Sequence, residues 1–108
     1  MNTKRLEELL KFLEKEPDDP FLLYAIATEY GEVNPEKAAS YYNVLLDKHP
    51  EYSATYYHAA ALFAEMGEID KAKKTYEIGI QICEKQKEVK ALAELKNAYQ
   101  NFLFEYDD

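Results

Sequence analysis

Few side chains in this sequence could combine to do chemistry. His58 and Glu65 stand seven residues apart, two helical turns, so on a helix they share one face. A metal centre or an acid–base pair with a substrate to work on needs more than one imidazole and one carboxylate. His58 therefore reads as a partly exposed polar residue. Cys83 is the single cysteine. Glu84 lies beside it, with Glu77 and Lys87 within two turns; nothing in that set clearly activates a thiolate, and a semi-buried structural thiol is the expectation. His49 precedes Pro50 at a helix end, where a cation favours the helix dipole. No glycine-rich phosphate loop, nucleophile elbow or Cys–His cluster occurs. The expectation is a protein that is not an enzyme and takes no cofactor and no metal.

The bulk properties narrow the partners. The chain has 108 residues, with thirteen basic against twenty-one acidic side chains and a net charge of -8. Clustered Lys and Arg are needed to displace counterions from a nucleic-acid backbone. The one dense basic patch, Lys71, Lys73 and Lys74, is flanked by Asp70 and Glu77. Nucleic acid is thus not expected as a partner, and the same charge disfavours anionic membranes. One cysteine excludes an intramolecular disulfide and fits a reducing compartment. Residues 1–16 carry no apolar run of signal-peptide length, and no stretch reaches the ~18 apolar residues of a membrane span. A cytoplasmic location is expected.

Helix is the default along the chain. Leu6, Leu9, Leu10 and Leu13 recur at three- and four-residue spacing, predicting an amphipathic helix from about Asn2 to Glu16. Asp19-Pro20 and Asn34-Pro35 each place a capping residue before a proline at the first helical position. They start helices running to about Tyr30, where Gly31 permits a positive φ, and to about Lys48, where His49-Pro50 stops the chain. Further helices are predicted over about Ser53–Met66, ended by Gly67, over about Asp70–Lys85, and over about Val89–Tyr106. The last carries Val89, Leu92, Leu95, Tyr99, Phe102 and Tyr106 on one stripe. No segment keeps a strand period.

Leu23, Ala27 and Tyr30 return 33 residues later as Tyr56, Ala60 and Phe63, and Ala38, Tyr42 and Leu45 return 34 residues later as Ala72, Tyr76 and Gly79. Two antiparallel helices approach closely only where side chains are small. Ala27 with Ala38, and Ala60 with Ala72, supply that approach in two successive hairpins, and aromatics fill the space their crossing opens. Tyr30, Tyr42, Tyr56 and Tyr76 are thus core. Tyr24 and Tyr57 fall outside that set and are candidates for contact. Tyr41 and Tyr52 are expected at the surface.

This pattern resembles the tetratricopeptide repeat, a unit of 34 residues, from about Pro20 to Glu84. The family's large position is Leu23 or Tyr56, its paired leucine–small positions Ile26-Ala27 and Ala59-Ala60, its turn glycine Gly67, and its closing proline Pro50. Pro17 falls one period earlier, so the first helix resembles the second half of a preceding repeat. The whole chain looks like the small two-repeat proteins of bacteria. Gly79 departs from the pattern by replacing an alanine, and Lys96 stands where a further repeat would carry a small residue. The resemblance implies an all-α, α-α superhelical fold in one domain, 1–108: an N-terminal helix over about 2–16, repeats over about 20–50 and 53–86, and a capping helix over about 89–106.

The resemblance also implies a binding role, since first helices of such repeats line a concave face that holds an extended peptide or a partner helix. By position those residues are Phe21, Tyr24, Thr28 and Glu32, then Ala54, Tyr57, His58, Ala61 and Glu65. Lys90, Ala93, Asn97 and Asn101 are added from the last helix. Tyr24 and Thr28 occupy positions where the family's best-known carboxylate clamp has lysine and asparagine, so no such clamp is expected. Glu32 and Glu65 suit a protein or peptide partner of basic or apolar character. The alternative is homodimerisation through the stripe Leu95, Tyr99, Phe102 and Tyr106.

Overall fold

The computed structural model describes residues 3–31 and 33–106. Over these it is all-α: α1 (Thr3–Lys15), α2 (Pro20–Tyr30), α3 (Pro35–Lys48), α4 (Ala54–Glu65), α5 (Ile69–Gln86) and α6 (Val89–Tyr106). The chain divides into two compact units between Thr55 and Tyr56, in the first turn of α4.

In the first unit the two Asx–Pro signals act as caps. The Asp19 carboxylate accepts from the Phe21 N–H at 2.9 Å, and the Asn34 side chain accepts from the Lys37 N–H at 3.2 Å, with Pro20 and Pro35 opening their helices. Each cap satisfies a backbone donor that the first turn leaves without a partner. Gly31 ends α2 at φ 36°, where a Cβ would lie 2.9 Å from the Thr28 carbonyl oxygen. The α2–α3 hairpin closes over Ala27 and Ala38, both 0% exposed, with Ile26, Leu45 and Tyr42 buried around them. α1 lays Leu6 and Leu9 against α2, and Arg5 of α1 pairs with Glu29 of α2 at 3.0 Å.

Two tyrosines depart from the expectation of a surface position. Tyr41 is half-buried and stacks on Tyr30, centroids 6.0 Å apart. It follows Ala38 by three residues, so it shares the flank of the helix face that α2 covers. Tyr52 is half-buried against Tyr24 at 5.9 Å, because its N–H bonds back to the His49 carbonyl and turns the segment inward.

The second unit is built from α4 onward, α5 and α6. Ala60 and Ala72 are 0% exposed, beside the buried rings of Tyr56 and Phe63. Gly67 turns the chain at φ 83°, and the Glu68 N–H reaches back to the Phe63 carbonyl at 2.9 Å, the reach-back bond of a helix-ending Schellman turn. Lys71 lies over the Phe63 ring, its ammonium 4.4 Å from the centroid. α6 returns along α5. At that contact Gly79 brings α5 so near that a Cβ there would stand 2.5 Å from Tyr56 Cβ and 2.8 Å from Leu95 Cδ2. The glycine tightens the junction rather than loosening it.

The apolar stripe expected on α6 is shorter than drawn. Leu95 and Phe102 are buried, but Val89 is 78% exposed. Three-residue steps drift around a helix of 3.6 residues per turn, so Val89 points about 120° away from Leu95. The helix dipole end beyond it is closed differently. α5 finishes in Lys87 at φ 59°, with the Glu88 N–H bonded to the Cys83 carbonyl at 3.0 Å.

Candidate functional site

A cleft of about 390 Å³ opens in the second unit, lined by α4, α5 and α6. α4 contributes Tyr57, Ala61, Ala64 and Glu65; α5 contributes Tyr76; α6 contributes Asn97, Ala98, Asn101, Phe102, Glu105 and Tyr106. Helical spacing explains the set. Positions 57, 61 and 65 repeat every fourth residue, as do 97, 101 and 105, so each helix shows one face to the opening.

The lining is layered by polarity. Tyr76 and Phe102 form the floor, both 5% exposed, with ring centroids 5.3 Å apart. Tyr106 tilts against Phe102 at 5.2 Å, and Tyr57 remains partly open to solvent. Burial pushes the Tyr76 hydroxyl above the usual phenol range, and the nearby hydroxyls of Tyr57 and Tyr106 add to this. Tyr99, behind the floor, packs on Tyr76 at 5.6 Å and donates its hydroxyl to Glu77 at 2.7 Å, which anchors the ring stack. Around the rim stand Glu65, Glu105, Asn97 and Asn101, all exposed. Among the described residues none of these four makes a hydrogen bond or an ion pair with another side chain.

Of the positions expected to bind, Tyr57, Ala61, Glu65, Asn97 and Asn101 thus meet in one cleft. Lys90 lines a separate, shallow depression with Glu88, Val89, Ala91 and Glu94. His58 is exposed, its ring edge-on to Tyr57 at 5.4 Å, and it is not among the lining residues; Ala93 is exposed and is not among them either. In the first unit Phe21 is exposed, Tyr24 is half-buried against Tyr52, and Ala54 is exposed. Thr28 is exposed and turns its hydroxyl inward to the Ala25 carbonyl at 2.9 Å. Glu32 lies outside the described residues. Glu105 was not among the expected positions, although its four-residue step from Asn101 marks it in the sequence. Tyr76 was expected in the repeat core and Phe102 on the apolar stripe of the last helix; both are buried, and their outer edges also floor the cleft.

Among the described residues no group of three His, Cys, Asp or Glu side chains is placed to hold a metal ion. No helix among them is long and apolar enough to cross a membrane.

No family model matches the chain, and no curated protein matches it. Solved structures do. A tetratricopeptide repeat domain protein from Salinibacter ruber, in its solution NMR structure, is 32% identical at a TM-score of 0.74, covering 80% of this chain and 88% of that one. A crystal structure of a tetratricopeptide repeat domain protein from the same organism is 33% identical, also at 0.74, over 78% and 96%. A protein from Bordetella parapertussis shares the fold at a TM-score of 0.78 and 20% identity, over 93% and 88%. With buried alanines at 27, 38, 60 and 72 and this identity to the Salinibacter ruber domain over most of both chains, the chain belongs to the tetratricopeptide repeat family.

Proposed function

We propose that the chain binds another protein or a peptide, and that the α4–α6 cleft of its second unit is the contact surface. Repeat modules of this family are commonly used for protein interaction, and one observation in this chain carries the reading. An aromatic floor and a rim of polar side chains that, among the described residues, have no hydrogen-bond or ion-pair partner line the same opening. Aromatic rings bury large areas at low entropic cost, and a rim of open acceptors gives a bound backbone or side chain somewhere to donate. The carboxylates of Glu65 and Glu105 favour a basic or apolar segment over an acidic one. In the first unit the exposed ring of Phe21, beside Tyr24, is a second candidate contact.

The homodimer alternative keeps a narrower surface, since Leu95 and Phe102 of the four-residue stripe are buried within the second unit while Tyr106 is exposed. Molar mass in solution tests it directly.

The test of the binding reading is a selection of random twelve-residue peptides on the intact chain, with Ala61→Arg as a cleft-filling control. Ala61 is half-buried on the cleft wall. Selected peptides should lose roughly tenfold or more in affinity for the arginine variant, the loss of one good contact or more, while its helical circular dichroism stays unchanged. Peptides that bind both proteins equally would remove the cleft from the reading.

A further inference from the structure

We propose that the α4–α6 cleft is an arginine-binding site: it receives the guanidinium of an arginine within an extended partner peptide. This deepens, and rests on, the reading of the cleft as a peptide site.

The chemistry of the lining selects the group. Glu65 and Glu105 offer carboxylate oxygens, Asn97 and Asn101 offer amide oxygens, and among the described residues no Lys or Arg lines the opening. A carboxylate-bearing side chain would face two like charges. A purely apolar one would cover those acceptors and give them nothing in return, which costs free energy for each group dried. The occupant is therefore a cation with several donors.

Two natural side chains qualify, and the aromatic floor separates them. A lysine ammonium is compact and strongly hydrated, so it stays with the rim carboxylates in water. A guanidinium is planar, weakly hydrated, permanently charged and carries five N–H donors in a fixed fork. It stacks on a ring face while its edge bonds to oxygens. Here Tyr57 and Tyr106 present rings above a floor of Tyr76 and Phe102, with acceptors beside them. An ammonium can also sit over a ring, as Lys71 does over Phe63, but only the planar guanidinium stacks flat on one while its five edge donors meet several oxygens. The volume of about 390 Å³ also admits the arginine stem and part of a neighbouring residue.

The test titrates the isotopically labelled full chain with three N-acetylated, C-amidated pentapeptides. Each has two alanines on either side of a central arginine, lysine or norleucine. The arginine peptide should shift the Asn97 and Asn101 side-chain amides and the Ala61 and Ala64 backbone signals. It should bind roughly tenfold more tightly than norleucine and several-fold more tightly than lysine, the margin of one or two charge-assisted hydrogen bonds. Paired Glu65→Gln and Glu105→Gln changes, both at exposed positions, should erase that margin while leaving norleucine binding alone. Norleucine or lysine binding at the same signals as tightly as arginine overturns the arginine assignment and leaves peptide binding standing. If none of the three peptides moves the cleft signals at millimolar concentration, while peptides from the random selection do, the assignment alone is overturned. If neither the pentapeptides nor any selected peptide moves them, the assignment falls with the cleft.

Discussion

Gly79 of α5 faces Tyr56 of α4 so closely that a Cβ on the glycine would stand 2.5 Å from the tyrosine Cβ. The obstacle is fixed to the α4 backbone, so no side-chain rotation relieves it. Two effects oppose each other in Gly79→Ala. Alanine is favoured over glycine in a helix interior by about 1 kcal/mol. Overpacking a full core costs about 1–3 kcal/mol, and here Leu95 crowds the same point at 2.8 Å. The clash should win, with a net loss of up to about 2 kcal/mol in urea denaturation. A variant that melts higher than the parent would show that α4 and α5 are not held at this separation.

Position 79 also shows where sequence legibility ends. The glycine is visible as a break in the repeat, standing where the first copy carries Leu45, but its sign is not, because that depends on which side chain faces it. The buried alanines at 27, 38, 60 and 72 were legible, since a duplicated small residue has one simple cause. The caps at Asp19 and Asn34 were legible for the same kind of reason, their action being local. Tyr41 and Tyr52 were not, because their burial comes from rings contributed by α2. Half of the cleft could be read from repeat positions on α4. On α6 Asn97 and Asn101 were read by position too, with Glu105 one four-residue step further, whereas the open edges of Tyr76 and Phe102 emerge only once the helices are packed.

Lys87 holds φ 59° at the end of α5, a conformation that costs a side chain with a Cβ about 1 kcal/mol and glycine almost nothing. Its N–H still bonds to the Glu84 carbonyl at 3.2 Å, and glycine would keep that bond. Lys87→Gly should therefore raise stability by about 0.5–1 kcal/mol, and Lys87→Val should lower it by more. Paired urea midpoints decide the matter; a destabilised glycine variant would mean that the lysine side chain has a role that outweighs the backbone strain.

Helix starts offer a matched pair of tests. Asp19 accepts a backbone N–H at the start of α2, so Asp19→Ala should cost about 1 kcal/mol. At the start of α5, Glu68 occupies the capping position and makes no side-chain hydrogen bond to it. Its side chain is one methylene too long for the short reach of an N-cap, so Glu68→Asp should gain a few tenths to about 1 kcal/mol. Thermal melts of the two variants should move in opposite directions; movement in the same direction would rule out local capping as the cause.

Buried weak acids set the response to alkali. Burial pushes the Tyr42 hydroxyl far above its ordinary 10.0, with Tyr24 reinforcing it, and raises Tyr24 and Tyr76 in the same direction. Burial likewise raises the Cys83 thiol from 9.0, and the Glu88 carboxylate adds to this. For each group the folded state holds its proton more tightly than the unfolded chain does. Stability from these groups is complete below the unfolded values, and it falls as pH rises through 9 towards and beyond 10, where only the unfolded chain ionises. Urea midpoints should be flat from pH 7 to about 8 on this account and then decline, first through the thiol and then through the phenols. Thiol labelling of Cys83 at pH 8 should be slow in the native protein and rapid in urea. Tyr42→Phe should flatten the alkaline decline, and an unchanged slope in that variant would show that the decline arises elsewhere.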